Sequence, residues 1–175
     1  MGKGLLLVFT GDGKGKTTAA LGMALRAWGQ GMKVLVLQFI KGRWEPGELK
    51  AAGRLGPDFV IRQMGEGFLR GITGQVLEIH RQAARKALLA ALDELKSGCY
   101  GMVVLDEILY AVKFGLLSLE ELLALVSEKP GRTHLVLTGR SAPPEIVERA
   151  DLVTEMRAVK HHFAEGVYAQ KGIEF

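Results

Sequence analysis

The sequence predicts an α/β protein with an open, mainly parallel sheet and helices on both faces, on three observations. Apolar strand-like runs alternate with helical patterns along the 175 residues; several of those runs are continuously apolar; and a glycine-rich turn joins the first strand to the first helix. Continuous apolar runs suit strands covered on both faces, which is the usual state of a parallel sheet. Nearly half the residues are apolar, enough for one sizeable core, so a single domain over residues 1–175 with an irregular tail from 157 is expected.

The first strand is expected at 5–9, followed by Thr-Gly-Asp-Gly-Lys-Gly-Lys-Thr-Thr at 10–18 and a helix to Gln30. That order suits a P-loop, in which backbone N–H groups and a helix N-terminus face phosphate oxygens. Gly11, Asp12, Gly13, Lys14, Gly15 and Thr18 form the predicted cradle. Lys16 supplies a charged phosphate donor, and the Thr17 hydroxyl is placed for a phosphate-bound Mg²⁺. Counted from Gly11, the loop is one residue shorter than the usual spacing.

Residues 33–39 form the next buried strand, and the loop after it contains Lys41 and Trp44. Loops at the carboxyl ends of strands bind ligands in open α/β sheets, so both residues are site candidates, although a surface loop with an incidental Trp reads equally well. A short helix near Glu48 and a strand at 59–63 follow. Residues 64–73 then surround Phe68 and Arg70 with glycines. This is either a mobile apolar loop at a site or a connection that tucks Phe68 into the core. A long helix is expected over 74–96.

Gly-Met-Val-Val-Leu-Asp-Glu at 101–107 delivers two carboxylates to a strand end, the Walker B position, which makes Asp106 and Glu107 metal candidates. Ser118 and Glu121 have capping-box spacing for a helix over 119–127. A strand at 133–138 leads to Arg140, which either reaches phosphate or is merely solvated. Pro143-Pro144 opens a helix to Ala150, and 152–155 reads as the last strand. In the tail, His161 and His162 lack a third ligand at metal-site spacing, which favours surface or hydrogen-bonding roles.

A net charge of +4, from 23 basic and 19 acidic residues, is scattered along the chain and gives no nucleic-acid footprint. The single cysteine excludes an internal disulfide and suits a reducing cytoplasm, and no apolar run is long enough to span a membrane. On motifs alone, a small-molecule kinase or NTPase and a nucleotide-gated switch remain open beside any other P-loop chemistry.

Taken together, the motifs resemble those of the P-loop ATP:corrinoid adenosyltransferases. The resemblance rests on residues 10–20, on Gln-Phe-Ile-Lys-Gly-x-Trp-x-x-Gly-Glu at 38–48, and on Leu-Asp-Glu at 105–107. Thr-Gly-Arg at 138–140 and the tail, with Val-Lys-His at 159–161, Gly166, Ala169-Gln170 and Gly172-Ile173, complete it. It implies a RecA-like fold, Mg²⁺, a homodimer, an electron-donating reductase or flavoprotein partner, and transfer of the 5′-deoxyadenosyl group of ATP to the cobalt(I) of a reduced corrinoid with release of triphosphate. ATP would lie in the reverse of the usual P-loop sense, with its γ-phosphate deep in the loop. Lys16, Thr17 and Glu107 would be catalytic, and Phe68 would help to displace the lower axial ligand of cobalt. At the second aromatic position of that region the chain departs from the family and carries Arg70.

Overall fold

The computed structural model describes all residues except Met1, Arg43, Phe68, Arg70, Ile72 and Phe175. Six strands, β1 (Leu6–Thr10), β2 (Val34–Gln38), β3 (Phe59–Gln63), β4 (Met102–Asp106), β5 (His134–Thr138) and β6 (Leu152–Glu155), form one sheet. Their order is β3-β2-β4-β5-β1-β6, and every neighbouring pair is parallel. The helices are α1 (Lys16–Gly29), α2 (Gly47–Leu55), α3 (Gly74–Ser97), α4 (Ile108–Lys113), α5 (Leu119–Ser127) and α6 (Pro144–Arg149), with a short 3₁₀ helix at His162–Glu165.

Because successive strand residues point to opposite faces, each apolar strand feeds two cores. Leu7, Phe9, Val34, Val36, Val104 and Val136 face the small residues Ala20, Ala24 and Ala27 of α1 and Ala52 of α2. Leu6, Val8, Leu35, Leu37, Val103, Leu105, Leu135 and Leu137 face Ala84, Leu88 and Ala91 of α3, together with α4, α5 and α6. Each fully buried aliphatic side chain contributes roughly 1.5–3 kcal/mol, which is why the unbroken apolar runs dictate a two-sided sheet. The edge strand β6 differs: all four of its residues are exposed. Ser118 and Glu121 close the expected capping box on α5. No helix among the described residues is long and apolar enough to cross a membrane.

The short helix α4 was not foreseen, and the tail gains a 3₁₀ helix where no periodicity suggested one. The other elements match the expected ones to within one or two residues.

Candidate active site

Of the buried polar residues, four lie at or beside the carboxyl ends of adjacent strands: Thr10, Gln38, Asp106 and Thr138. Burying such groups is costly unless each finds a partner, so their convergence marks a place where polarity serves a purpose. Asp106, with no exposed surface, is the hub. Its Oδ1 accepts from Thr17 Oγ1 at 2.7 Å and Thr138 Oγ1 at 2.8 Å, and its Oδ2 accepts from Gln38 Nε2 at 3.4 Å. Lys41 Nζ sits 3.4 Å from Oδ2 and 2.9 Å from Glu48 Oε1. Burial would lower the pKa of Lys41, but the carboxylates of Asp106 and Glu48 outweigh it and raise the value.

The turn between β1 and α1 depends on two glycines with positive φ, Gly11 at 95° and Gly15 at 114°. A Cβ on Gly11 would also lie 2.3 Å from the Met156 carbonyl oxygen, so the turn packs directly against the chain leaving β6. The Gly13 N–H donates to that same carbonyl at 2.7 Å. Gly15 caps α1 without a side-chain acceptor, so no capping side chain neutralises the helix's positive end. Lys16 folds back so that its Nζ donates to the carbonyls of Gly11 at 2.7 Å and Gly13 at 2.6 Å. Burial first, and the Arg140 charge second, lower its pKa.

Glu107 caps α4 with φ 63°, a left-handed conformation that costs a non-glycine residue roughly 1–3 kcal/mol. Its N–H donates to Thr138 Oγ1 at 2.8 Å, which ties the strained residue to β5. Oε2 of Glu107 is buried without a hydrogen-bond partner. Burial, reinforced by the Asp106 charge, pushes its pKa up to about 7. The folded protein therefore keeps this proton over a range where the unfolded chain, with the ordinary value of 4.5, has lost it. The contribution of Glu107 to stability therefore falls as pH rises from about 4.5 to about 7 and levels out above that. Glu107→Gln should melt higher than the parent at pH 8 and converge with it below pH 4.5, as read by thermal denaturation of the ligand-free protein; a difference independent of pH would contradict the assignment.

These elements enclose a cleft of about 480 Å³ lined by Lys14, Gly15, Lys16, Thr17, Thr18, Leu21, Lys41, Gly47, Glu48 and Gly172–Glu174. A second hollow of about 380 Å³ lies at the carboxyl end of β3, between Gln63–Glu66 and the α3 residues Ile79, Gln82, Ala83 and Lys86. The two are neighbours: Gly65 N donates to Lys41 O at 3.2 Å, and a Cβ on Gly42 would lie 2.0 Å from Gly65 O.

Lys14, Gly15, Lys16, Thr17, Thr18, Lys41, Asp106 and Glu107 are thus brought together, with Gly11 and Gly13 shaping the turn. Arg140 stands at the rim, its Nη1 3.6 Å from Asp12 Oδ1 and its guanidinium 5.8 Å from the centre of the Tyr110 ring. Trp44 is 40% exposed and does not line the nucleotide-sized cleft. Phe68 lies outside the described residues. Gln38, Glu48, Thr138 and the tail residues Gly172–Glu174 were not singled out as site residues. All but Glu174 stand inside the quoted motifs, so the signal was present without a role attached. His162 Nε2 lies 3.5 Å from Glu174 Oε1.

A parallel α/β sheet whose carboxyl edge gathers a glycine turn, lysines and buried carboxylates defines a class of anion-handling proteins. The chain belongs within it to the ATP:corrinoid adenosyltransferase BtuR/CobO/CobP family, whose model matches residues 2–175. The corrinoid adenosyltransferase of Pseudomonas aeruginosa is 44% identical over 173 residues, 99% of this chain and 84% of that one. The Escherichia coli enzyme of the same name is 42% identical, covering 99% and 86%. A solved KaiC-like protein from Pyrococcus horikoshii aligns over 87% of this chain and 73% of its own with a TM-score of 0.46 and 18% identity. Family membership selects among the chemistries the motifs left open: the protein is an adenosyltransferase acting on ATP and a corrinoid.

Proposed function

We propose that the cleft holds the triphosphate of ATP in a RecA-like P-loop, and that this chain transfers the 5′-deoxyadenosyl group to cobalt(I) of the corrinoid. The cobalt electron pair forms a bond to C5′, the C5′–O bond breaks, and its electron pair departs with triphosphate. The observation that carries this reading is that Lys16 and Thr17 of α1 line one cleft while Thr17 Oγ1 donates to Asp106 at the end of β4 and the Lys16 charge acts on Glu107 beside it. The sheet order supports the finer fold, since β5 separates the loop-bearing β1 from the acid-bearing β4.

Because the nucleophile is the substrate's own metal, no side chain needs activation, and the residues bind, orient and stabilise charge. Lys16 would exchange the Gly11 and Gly13 carbonyls for phosphate oxygens and disperse the charge that grows on the leaving group. With the γ-phosphate deep in the loop, C5′ is left facing outward. Lys14 and Arg140 add positive charge at the mouth, while Lys41 holds Glu48 and Asp106 in place. The adjoining hollow at β3, next in sequence to Phe68, suits the corrinoid.

The donor set fits Mg²⁺: hard oxygens of Thr17, Asp106 and Glu107, including the buried, unpartnered Oε2 of Glu107. No three His, Cys, Asp or Glu among the described residues could hold a metal ion by themselves, so a Mg²⁺ here would take the rest of its shell from phosphates and water. When bound, Mg²⁺ supplies charge stabilisation to the leaving triphosphate. Homodimerisation is part of the same proposal, supported by Leu152 and Val153 of the edge strand at 40% and 38% exposure. So are a single nucleotide-binding domain over 1–175, an electron-donating reductase partner and a cytoplasmic setting.

The metal assignment is checked by titrating Mg²⁺ in steady-state transfer assays. Thr17→Ala and Glu107→Gln should each raise the half-maximal Mg²⁺ concentration, whereas Lys14→Ala should raise the KM for ATP and leave the metal requirement alone. An unchanged Mg²⁺ profile in both metal-ligand variants would remove Thr17 and Glu107 from the ion's shell.

A further inference from the structure

The last turn of the chain forms one wall of the nucleotide cleft, through Gly172, Ile173 and Glu174. This turn is closed by its own bonds. Ile173 N and Glu174 N donate to Gln170 O at 3.1 and 3.0 Å, and Gln170 N donates to Glu174 Oε2 at 2.7 Å. Gly172, at φ 81°, permits the reversal. The other carboxylate oxygen, Oε1, is buried without a hydrogen-bond donor, yet it lies 3.4 Å from Lys14 Nζ and 3.5 Å from His162 Nε2.

Three cations at the glycine turn, Lys14, Lys16 and Arg140, rest on protein oxygens. Lys16 is on the Gly11 and Gly13 carbonyls, Arg140 is near Asp12, and Lys14 is near Glu174. The first two placeholders belong to the turn itself. Glu174 comes from the far end of the chain, so whatever draws Lys14 away also removes an ion pair between the tail and the turn.

We propose that Glu174 is an occupancy-sensitive counter-ion of the phosphate loop, a reading that rests on the loop binding triphosphate as argued above. A polyanion in the cleft takes Lys14, leaves Glu174 facing like charge, and loosens the 170–174 turn. The return of Glu174 to Lys14 then competes with the bound triphosphate and helps to clear the product. Glu174 touches no reacting atom in this scheme; it acts through Lys14 as a positioning residue.

Inorganic triphosphate is the probe, titrated calorimetrically at fixed Mg²⁺ into the full-length protein. Removing the competing charge should make Glu174→Gln bind triphosphate roughly two- to fivefold more tightly, the range expected for one partly exposed ion pair. Glu174→Asp should stay close to the parent. In the parent, amide hydrogen exchange over residues 170–174 should rise on adding triphosphate, a measurement that needs no variant. If the turn instead closes on the ligand as a fixed wall, Glu174→Gln binds more weakly and exchange falls, which overturns the proposal. Unchanged affinity and unchanged exchange overturn it as well. Failure of the parent to bind triphosphate would remove the phosphate-loop reading itself, whereas binding that is lost in Lys16→Ala but not strengthened in Glu174→Gln would sink only the counter-ion.

Discussion

Lys16→Ala is expected to slow adenosyl transfer roughly tenfold to a thousandfold while leaving the fold in place, because one charged donor to a developing oxyanion is worth about 2–4 kcal/mol. The Lys16 side chain crosses the mouth of its own loop to reach the Gly11 and Gly13 carbonyls and contributes nothing to either side of the sheet's core. Neither carbonyl belongs to the sheet's core, so the melting temperature should move little. The loss should appear in kcat with chemically prepared cobalt(I), since the interaction strengthens as the C5′–O bond breaks. Near-normal turnover by a folded Lys16→Ala protein would show that the cleft is not where the leaving group is held.

Phe68→Ala is expected to lose activity with cobalt(II) corrinoid and a mild reductant, yet to keep much of it when cobalt(I) is supplied chemically. The family resemblance at that position and the chemistry of cobalt lead to this expectation. An apolar group where a lower ligand would otherwise bind makes cobalt(II) easier to reduce, and raising that cost by about 2 kcal/mol corresponds to roughly thirtyfold in rate. The hollow lined by Gln63–Glu66 adjoins the nucleotide cleft, since the Gly65 N–H donates to the Lys41 carbonyl at 3.2 Å, and a corrinoid seated there would lie near C5′. A plain core role predicts a different pattern: a loss of about 3–5 kcal/mol of stability and equal defects in both assays. Equal defects at an unchanged melting temperature would point to corrinoid binding in place of ligand displacement.

The sheet was legible because β1, β2, β4 and β5 are continuously apolar, a pattern that only two-sided burial explains. The capping box of α5 and the Pro-Pro start of α6 were legible because they are local chemistry. What escaped depends on contacts distant in sequence. The helix α4 is six residues long and is capped by Glu107 in a left-handed conformation, with no Ser, Thr, Asp or Asn side chain capping it. The Asp106 hub was half visible: its carboxylate and Thr17 were chosen, but Thr138, 32 residues further on, and Gln38 acquire a role only when β5 and β2 flank β4. The tail was the least legible stretch. Its irregular backbone has no period, and its place beside the glycine turn depends on Met156 and Glu174 meeting residues more than a hundred positions earlier. Trp44, a site candidate from its loop position, lies off the lining of the nucleotide cleft.

The central claim is that this cleft holds the leaving triphosphate during attack at C5′, and the identity of the phosphate product tests it most directly. The full-length protein would be incubated anaerobically with ATP, Mg²⁺ and chemically reduced corrinoid, and the phosphates separated chromatographically alongside the corrinoid spectrum. Intact triphosphate formed in equal amount with a new cobalt–carbon bond is the predicted result; ADP, or phosphate released without alkylation of cobalt, would contradict it.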